Sequence, residues 1–300
     1  MADVRVAQDR AADILTKYRQ LVEPALAQYL EPPADVPAQL AEAMRYSVMS
    51  GGKRLRPALV LAACELCGGS AEQALPAAVA VECVHAFSLV HDDLPALDDD
   101  DLRRGRATVH KVYGEAMALL AGDALLTRAF EILTEHVEAA DVSSRLCGEL
   151  AAAVGWRGMI AGQVADWEGQ NRSPDRELVD YIHRYKTGRL IRCACRMGAL
   201  SGRADARSLA AVSRFGEHLG LAFQITDDLL DATGSAEQVG KRTGKDAEAG
   251  KQTYPQIVGI DGSRSAAERE TASAVAALEP TGSRAEPLAR LARFVLGRAS

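Results

Sequence analysis

The sequence predicts an all-α protein. Apolar residues recur at helical spacing along nearly the whole chain, and no stretch alternates at period two for long enough to make a convincing strand. The composition is rich in alanine and leucine and only 5% aromatic, which favours helices over sheet. At 300 residues, 48% of them hydrophobic, the chain can bury a large core. It shows no internal repeat and no low-complexity linker, so it reads as a single domain over 1–300.

The helices follow from apolar periodicity and from the breakers between them. The first spans 3–30, with Pro24 expected to kink it, and Pro32-Pro33 follow its end. Its start, MADVRVAQDRAAD, is charged and amphipathic and lacks the apolar core of a leader peptide. Helices at 36–49 and 55–67 are separated by Gly51-Gly52, and Gly68-Gly69 close the second. A helix at 72–93 contains the apolar run ALPAAVAVECVHAFSLV, interrupted by Pro76, Glu82 and His85. A bilayer span needs roughly 20 mostly apolar residues, so no stable membrane insertion is expected. Helices at 112–137 and 142–169 lead to Ser173-Pro174, and helices at 175–201 and 206–233 follow. Residues 234–254 read as a Gly- and Lys-rich loop, and helices at 265–279 and 284–297 complete the chain.

The net charge of −6 is mild and argues against nucleic-acid binding. The cysteines Cys64, Cys67, Cys83, Cys147, Cys193 and Cys195 include one C-x-x-C with no second pair or histidine at zinc spacing. They read as reduced thiols of a cytoplasmic protein.

Charge is concentrated locally. In HDDLPALDDDDLRRGR (91–106), Asp92 and Asp93 end an apolar helix, and Pro95 breaks regular helix so that the chain can fold Asp98 back toward Asp92. An EF-hand starting at Asp98 would place Arg103 where glycine is required. In FQITDDLLD (223–231), Asp227 and Asp231 share a helix face, with Asp228 beside them and Gln224 one turn earlier. Such oxygen ligands suit Mg²⁺, which binds through one or two carboxylates plus substrate phosphates. Basic segments complement the acids: Lys53, Arg54 and Arg56 in GGKRLRP (51–57) at a helix start, Lys186-Thr187-Gly188, and Lys241, Lys245 and Lys251 in the 234–254 loop. That loop is not a Walker A motif, because Val239 and Asp246 stand where glycine and Ser/Thr belong. Two acidic groups with several cationic segments meet the needs of a diphosphate substrate held partly through metal and partly by bare cations.

At this point the sequence resembles the trans-isoprenyl diphosphate synthases, of the short-chain bacterial farnesyl or geranylgeranyl type. The resemblance rests on GGKRLRP (51–57), ECVHAFSLVHDDLPALDDDDLRRGRATVH (82–110), AGDALLTRAF (121–130), GQVADWE (162–168), YKTGRLI (185–191), FQITDDLLDATG (223–234) and VGKRTGKDAEAGKQTYP (239–255), in family order. It implies a helical bundle around a deep central cavity, a homodimer, and a prenyltransferase that condenses isopentenyl diphosphate with dimethylallyl or geranyl diphosphate. Asp92, Asp98 and Asp227 would ligate three Mg²⁺ ions, with Asp93, Asp228 and Asp231 assisting. Arg103, Lys186, Thr187, Gln224 and Lys241 would hold the allylic diphosphate, and Lys251 would bind substrate. Lys53, Arg56, His85 and Arg104 would hold isopentenyl diphosphate. The Lys186 carbonyl and the Thr187 hydroxyl would steady an allylic cation. Ser88 and Phe87 lie four and five residues before Asp92, and a helical turn rises about 5.4 Å, close to one isoprene unit. Phe87 as a floor would give farnesyl diphosphate. Ala107 and Arg189 depart from the family pattern, which commonly has proline and alanine there.

Three other readings compete: a geranyl or geranylgeranyl product; a terpene cyclase, which leaves GGKRLRP and His85 without a task; and a non-catalytic partner subunit, expected to lack one acidic motif.

Overall fold

The computed structural model describes residues 2–233 and 250–299, and among them helices make up nearly all the regular structure. Helices α1 (Ala2–Tyr29), α2 (Ala38–Val48) and α3 (Leu55–Leu66) lead through a 3-10 turn at Glu72–Ala74 into α4 (Leu75–Asp92). A small antiparallel hairpin, β1 (Leu102–Arg103) with β2 (Arg106–Ala107), precedes α5 (Val109–Tyr113), α6 (Glu115–His136), α7 (Ala140–Val154) and α8 (Met159–Gly169). Helix α9 (Arg176–Ile182) runs through a wide π turn, His183–Gly188, into α10 (Arg189–Ser201) and then α11 (Ala206–Thr233). Helix α12 (Tyr254–Ala277), a 3-10 segment (Glu279–Ala285) and α13 (Glu286–Leu296) complete the bundle.

Helix α4 is apolar on every side and is therefore surrounded, packing on α3 and α6 and touching α1 and α10. Residues 72–92 are long and apolar enough to cross a bilayer, but 72% of that window is buried inside the protein, which marks a core helix. A second, smaller core joins Val179 of α9, Ile225 and Leu229 of α11, and Tyr254, Ala266 and Ala267 of α12. It fixes α11 and α12 against α9.

Several elements differ from the sequence expectation. The stretch expected as one helix at 112–137 is α5 plus α6, parted at Gly114, whose φ of 85° ends the first. The stretch expected at 142–169 is α7 plus α8, because Gly155–Gly158 turn the chain. Helix α12 begins at Tyr254, eleven residues before the expected 265, and Thr253 with Gln256 forms its capping box. The β hairpin is too short for periodicity to announce. Its turn, Arg104-Gly105, has positive φ at both positions, 54° and 75°, as a tight hairpin requires.

The π turn is held by two close approaches. A Cβ on Gly162 of α8 would lie 2.1 Å from the Lys186 backbone nitrogen, and one on Gly220 of α11 would lie 2.6 Å from the Gly188 Cα. Both helices thus lean on the turn's backbone. Gly162→Ala should therefore destabilise the protein by about 1–3 kcal/mol, as overpacking does. Gly148→Ala, on the exposed face of α7 with open space around it, should stabilise it by up to about 1 kcal/mol. Urea denaturation followed by circular dichroism measures both, and equal midpoints for the two variants would contradict the packing argument.

Candidate active site

The C-terminal end of α4, the acidic loop after it, α8, the π turn and α11 enclose one cavity of about 940 Å³. The loop folds as its proline predicts. Asp98 N–H donates to the Asp92 carbonyl at 2.8 Å, and Asp100 N–H to the Asp93 carbonyl at 3.2 Å. Asp92 and Asp98 thereby share one rim, and both line the cavity. Asp227, Asp228 and Asp231 line it from α11. The two acidic groups face one enclosed space.

Several cavity-lining carboxylates stand beside a cation. Lys251 pairs with Asp98 at 3.1 Å, Arg298 with Asp227 at 2.9 Å, and Lys186 with Asp166 at 2.5 Å. Burial pushes Asp92 up to about 6; Lys186 opposes that rise and Asp98 adds to it. For Asp98, burial is outweighed by Lys251 and Lys186, and the carboxyl falls below its ordinary range. Burial opposes the charge on Lys186, yet Asp166 and Asp92 hold its pKa above the ordinary lysine range.

Asp93 is a correction. It does not line the cavity; Arg103 Nε donates to its carboxylate at 2.9 Å and the same guanidinium reaches Asp100 at 3.3 Å. Arg103 itself does line the cavity, so it carries both tasks. Arg104 also lines the cavity and reaches back to the Gly51 carbonyl.

On the opposite wall, Arg56 faces the Phe223 ring at 5.8 Å, and its Nε has no hydrogen-bond partner among the described residues. His85 lies nearby, pushed well below its ordinary pKa by burial and then by Arg56 and Arg104, which keeps it neutral. Lys53 is exposed and does not itself line the cavity; it sits over the Phe294 ring at 5.5 Å, and its pKa is lowered by burial and by Arg298, with Asp227 opposing, so it stands beside two lining residues. Arg54 is not an anion ligand. With φ of 50° it turns inward, where Glu82 at 2.8 Å, Glu23 at 2.9 Å and the Val48 carbonyl at 2.7 Å occupy its donors. Lys241 and Lys245 lie outside the described residues.

Thr187, Gln224, Ser88 and Phe87 all line the cavity. Ser88 donates to the His85 carbonyl at 2.9 Å, and Phe87 meets His91 edge-on at 5.4 Å between ring centres. Arg189 does not line the cavity; its guanidinium lies over the Tyr185 ring at 4.6 Å. Ala107 lies in β2, where its carbonyl accepts from Tyr46 at 2.7 Å. Sequence reasoning gave no roles to Asp166, His183, Gln252 and Arg298, all of which line the cavity. Asp166 sat within a recognised motif; Arg298 and His183 had no local signal.

No three Asp, Glu, His or Cys side chains among the described residues converge so as to hold a metal alone. The donor set still fits Mg²⁺. Oxygen ligands sit on two rims of one cavity, one of them a recessed carboxyl whose charge the protein itself offsets poorly. That suits an ion completed by substrate phosphates.

The polyprenyl synthetase family model matches residues 37–286. A farnesyl diphosphate synthase from Geobacillus stearothermophilus is 46% identical over 86% of this chain and 88% of its own. A dimethylallyltranstransferase from Fischerella ambigua is 46% identical over 95% of this chain and 83% of its own. The crystal structure of an FPP/GFPP synthase from Zymomonas mobilis superposes with a TM-score of 0.84 at 38% identity, covering 95% of this chain and 99% of that one.

The Asp92 shift sets a pH dependence. The folded carboxyl keeps its proton to about pH 6, whereas the unfolded one releases it near 3.8. Asp92 therefore costs stability as pH rises from about 4 to about 6. Asp92→Asn removes that cost. Its melting temperature relative to the parent protein, without divalent ions, should rise over that window and then level off; a fall would contradict the burial argument.

Proposed function

The chain belongs to the polyprenyl synthetase family, as a trans-isoprenyl diphosphate synthase, and on that footing we propose that it condenses isopentenyl diphosphate with an allylic diphosphate to give farnesyl diphosphate. One observation carries the reading: two acidic groups from separate helices, and a wall with Arg56, Arg104 and His85, line the same cavity. A terpene cyclase binds a single diphosphate and leaves that wall idle. A silent subunit is expected to lack one acidic group, and both are present.

When bound, Mg²⁺ supplies Lewis-acid stabilisation of the diphosphate leaving group. Asp92, Asp98 and Asp227 would hold it, and Asp231 is placed to assist. Lys186, Lys251 and Arg103 bind the allylic diphosphate directly, each released from a carboxylate as the ligand arrives. Arg56, Arg104 and His85 hold isopentenyl diphosphate. The allylic C1–O bond breaks, and its electron pair leaves with the diphosphate. The alkene of isopentenyl diphosphate then forms a bond to C1. A proton passes from the neighbouring carbon to the departed diphosphate and restores a double bond. The Thr187 oxygen and the Lys186 carbonyl stabilise the cation between those steps. Met159, Ile160, Val164 and Leu190 make the wall apolar and keep out water that would trap the cation.

Phe87, 6% exposed and one turn and more below Asp92, would be the floor that stops chain growth at fifteen carbons. The farnesyl diphosphate synthase relative supports that product. The enzyme would work in the cytoplasm as a homodimer. Exposed apolar side chains on α6 (Leu119, Leu120) and Trp167 on α8 support the pairing, and free cysteines among the described residues accord with a reducing compartment.

Labelled isopentenyl diphosphate with dimethylallyl or geranyl diphosphate should yield a C15 product, and EDTA should abolish it. Label remaining in isopentenyl diphosphate with every primer would refute the activity. Phe87→Ala should shift the chromatogram toward C20 and longer chains; an unaltered distribution would refute the floor alone.

A further inference from the structure

The roles above leave one hydrogen-bonded chain unexplained. Asp228 is 4% exposed, yet its carboxylate takes two hydrogen bonds and the close approach of an imidazole. The Tyr254 backbone N–H lies at 2.9 Å and His183 Nε2 at 3.1 Å from one oxygen, and Gln224 Nε2 lies at 3.0 Å from the other. With two hydrogen bonds and the His183 imidazole on it, Asp228 is poorly placed to ligate metal.

These contacts dictate proton positions. A carboxylate accepts only, so the Gln224 amide must turn its NH₂ toward Asp228 and its carbonyl the opposite way. That carbonyl lies 2.7 Å from Thr187 Oγ1. A carbonyl cannot donate, so the Thr187 hydroxyl gives its proton to Gln224. Both lone pairs of Thr187 are then left for the cavity, which Thr187 lines. The far end of the chain is equally fixed. The Tyr254 donor is backbone at the start of α12, and His183, 2% exposed, is stacked on the Tyr254 ring at 5.6 Å.

We propose that His183 and Asp228 are positioning residues which, through Gln224, lock the Thr187 hydroxyl as an acceptor aimed at the reacting carbon. The inference rests on the prenyl-transfer reading. A hydroxyl free to rotate presents its hydrogen to a cation as readily as its lone pairs. One locked from behind presents only the negative end of its dipole, without reorganisation during the reaction. His183 acts on that hydroxyl through Asp228 and Gln224.

The test is a set of double-mutant cycles on the full-length protein, with geranyl and isopentenyl diphosphates as substrates. Thr187→Val removes the dipole. His183→Phe keeps the bulk but removes the donor. Asp228→Asn offers an NH₂ to Gln224, which flips the amide and turns the Thr187 proton into the cavity. Each single variant should lower kcat about 10- to 100-fold, with KM for isopentenyl diphosphate and the half-saturating Mg²⁺ concentration unchanged. His183→Gln, which still offers an N–H to Asp228, should recover most of the rate lost by His183→Phe. The doubles with Thr187→Val should be no slower than Thr187→Val alone, because all act through one hydroxyl. Should His183→Phe fail to fold, the Asp228→Asn cycle decides alone. Additive losses, a His183→Gln as slow as the phenylalanine variant, or a raised Mg²⁺ requirement in Asp228→Asn would overturn the proposal. An active parent enzyme with any of those outcomes leaves the prenyl-transfer reading standing, whereas an inactive parent overturns both.

Discussion

The structure depends on keeping several carboxylates at the rim of an apolar cavity without bulk water to solvate them. Desolvated charge is costly unless it is paired, and here each pairing draws on a different part of the chain. Asp93 is met by Arg103 from the hairpin, Asp98 by Lys251 before α12, Asp166 by Lys186 from the π turn, and Asp227 by Arg298 after α13. The site therefore assembles only when the bundle is complete. The same pairings keep cations within reach of the position a diphosphate takes. A ligand carrying several negative charges exchanges one set of partners for another, so the resting site needs no separate store of positive charge. Arg54, held by Glu23 and Glu82 at the start of α3, solves the same problem away from the cavity.

Much of the fold was legible because it follows from local pattern. The segment 206–233 has an unbroken helical period and is α11 over its full length. The apolar run before Asp92 is the buried α4. Where reading failed, the deciding information was backbone conformation or tertiary contact. The apolar period continues on both sides of 155–158, so periodicity alone joined α7 to α8. The start of α12 was hidden because TYPQIVGIDG carries a proline and two glycines and reads as loop. The proline fits the first turn of a helix, and Gly259, with a φ of 72°, kinks the element into two helical pieces.

The acidic groups were legible for a different reason. Aspartates set directly after apolar helical runs conflict with ordinary solubility patterning, and such conflicts mark functional sites. What charge pattern cannot give is direction. Lys53, Arg54 and Arg56 are nearly adjacent and chemically alike, yet one is exposed over Phe294, one is buried between glutamates, and one faces Phe223 in the cavity. Asp92 and Asp93 part in the same way. His183 and Arg298 had no neighbours in sequence to reveal them, because their partners come from α11.

The π turn shows how these levels meet. An ordinary α-helix through 183–188 would rotate successive side chains around the axis by a constant step, whereas the wider turn changes that step once. His183 approaches Asp228, while Lys186 and Thr187 reach Asp166 and Gln224. The wider turn takes up room, and α8 and α11 make that room by approaching with glycines, Gly162 and Gly220. A side chain on either would push a helix off the turn and separate Lys186 from Asp166 or Thr187 from Gln224. The irregular backbone, the two glycines and the polar chain behind Thr187 are thus one arrangement, and a change at any of them is felt at the reacting carbon.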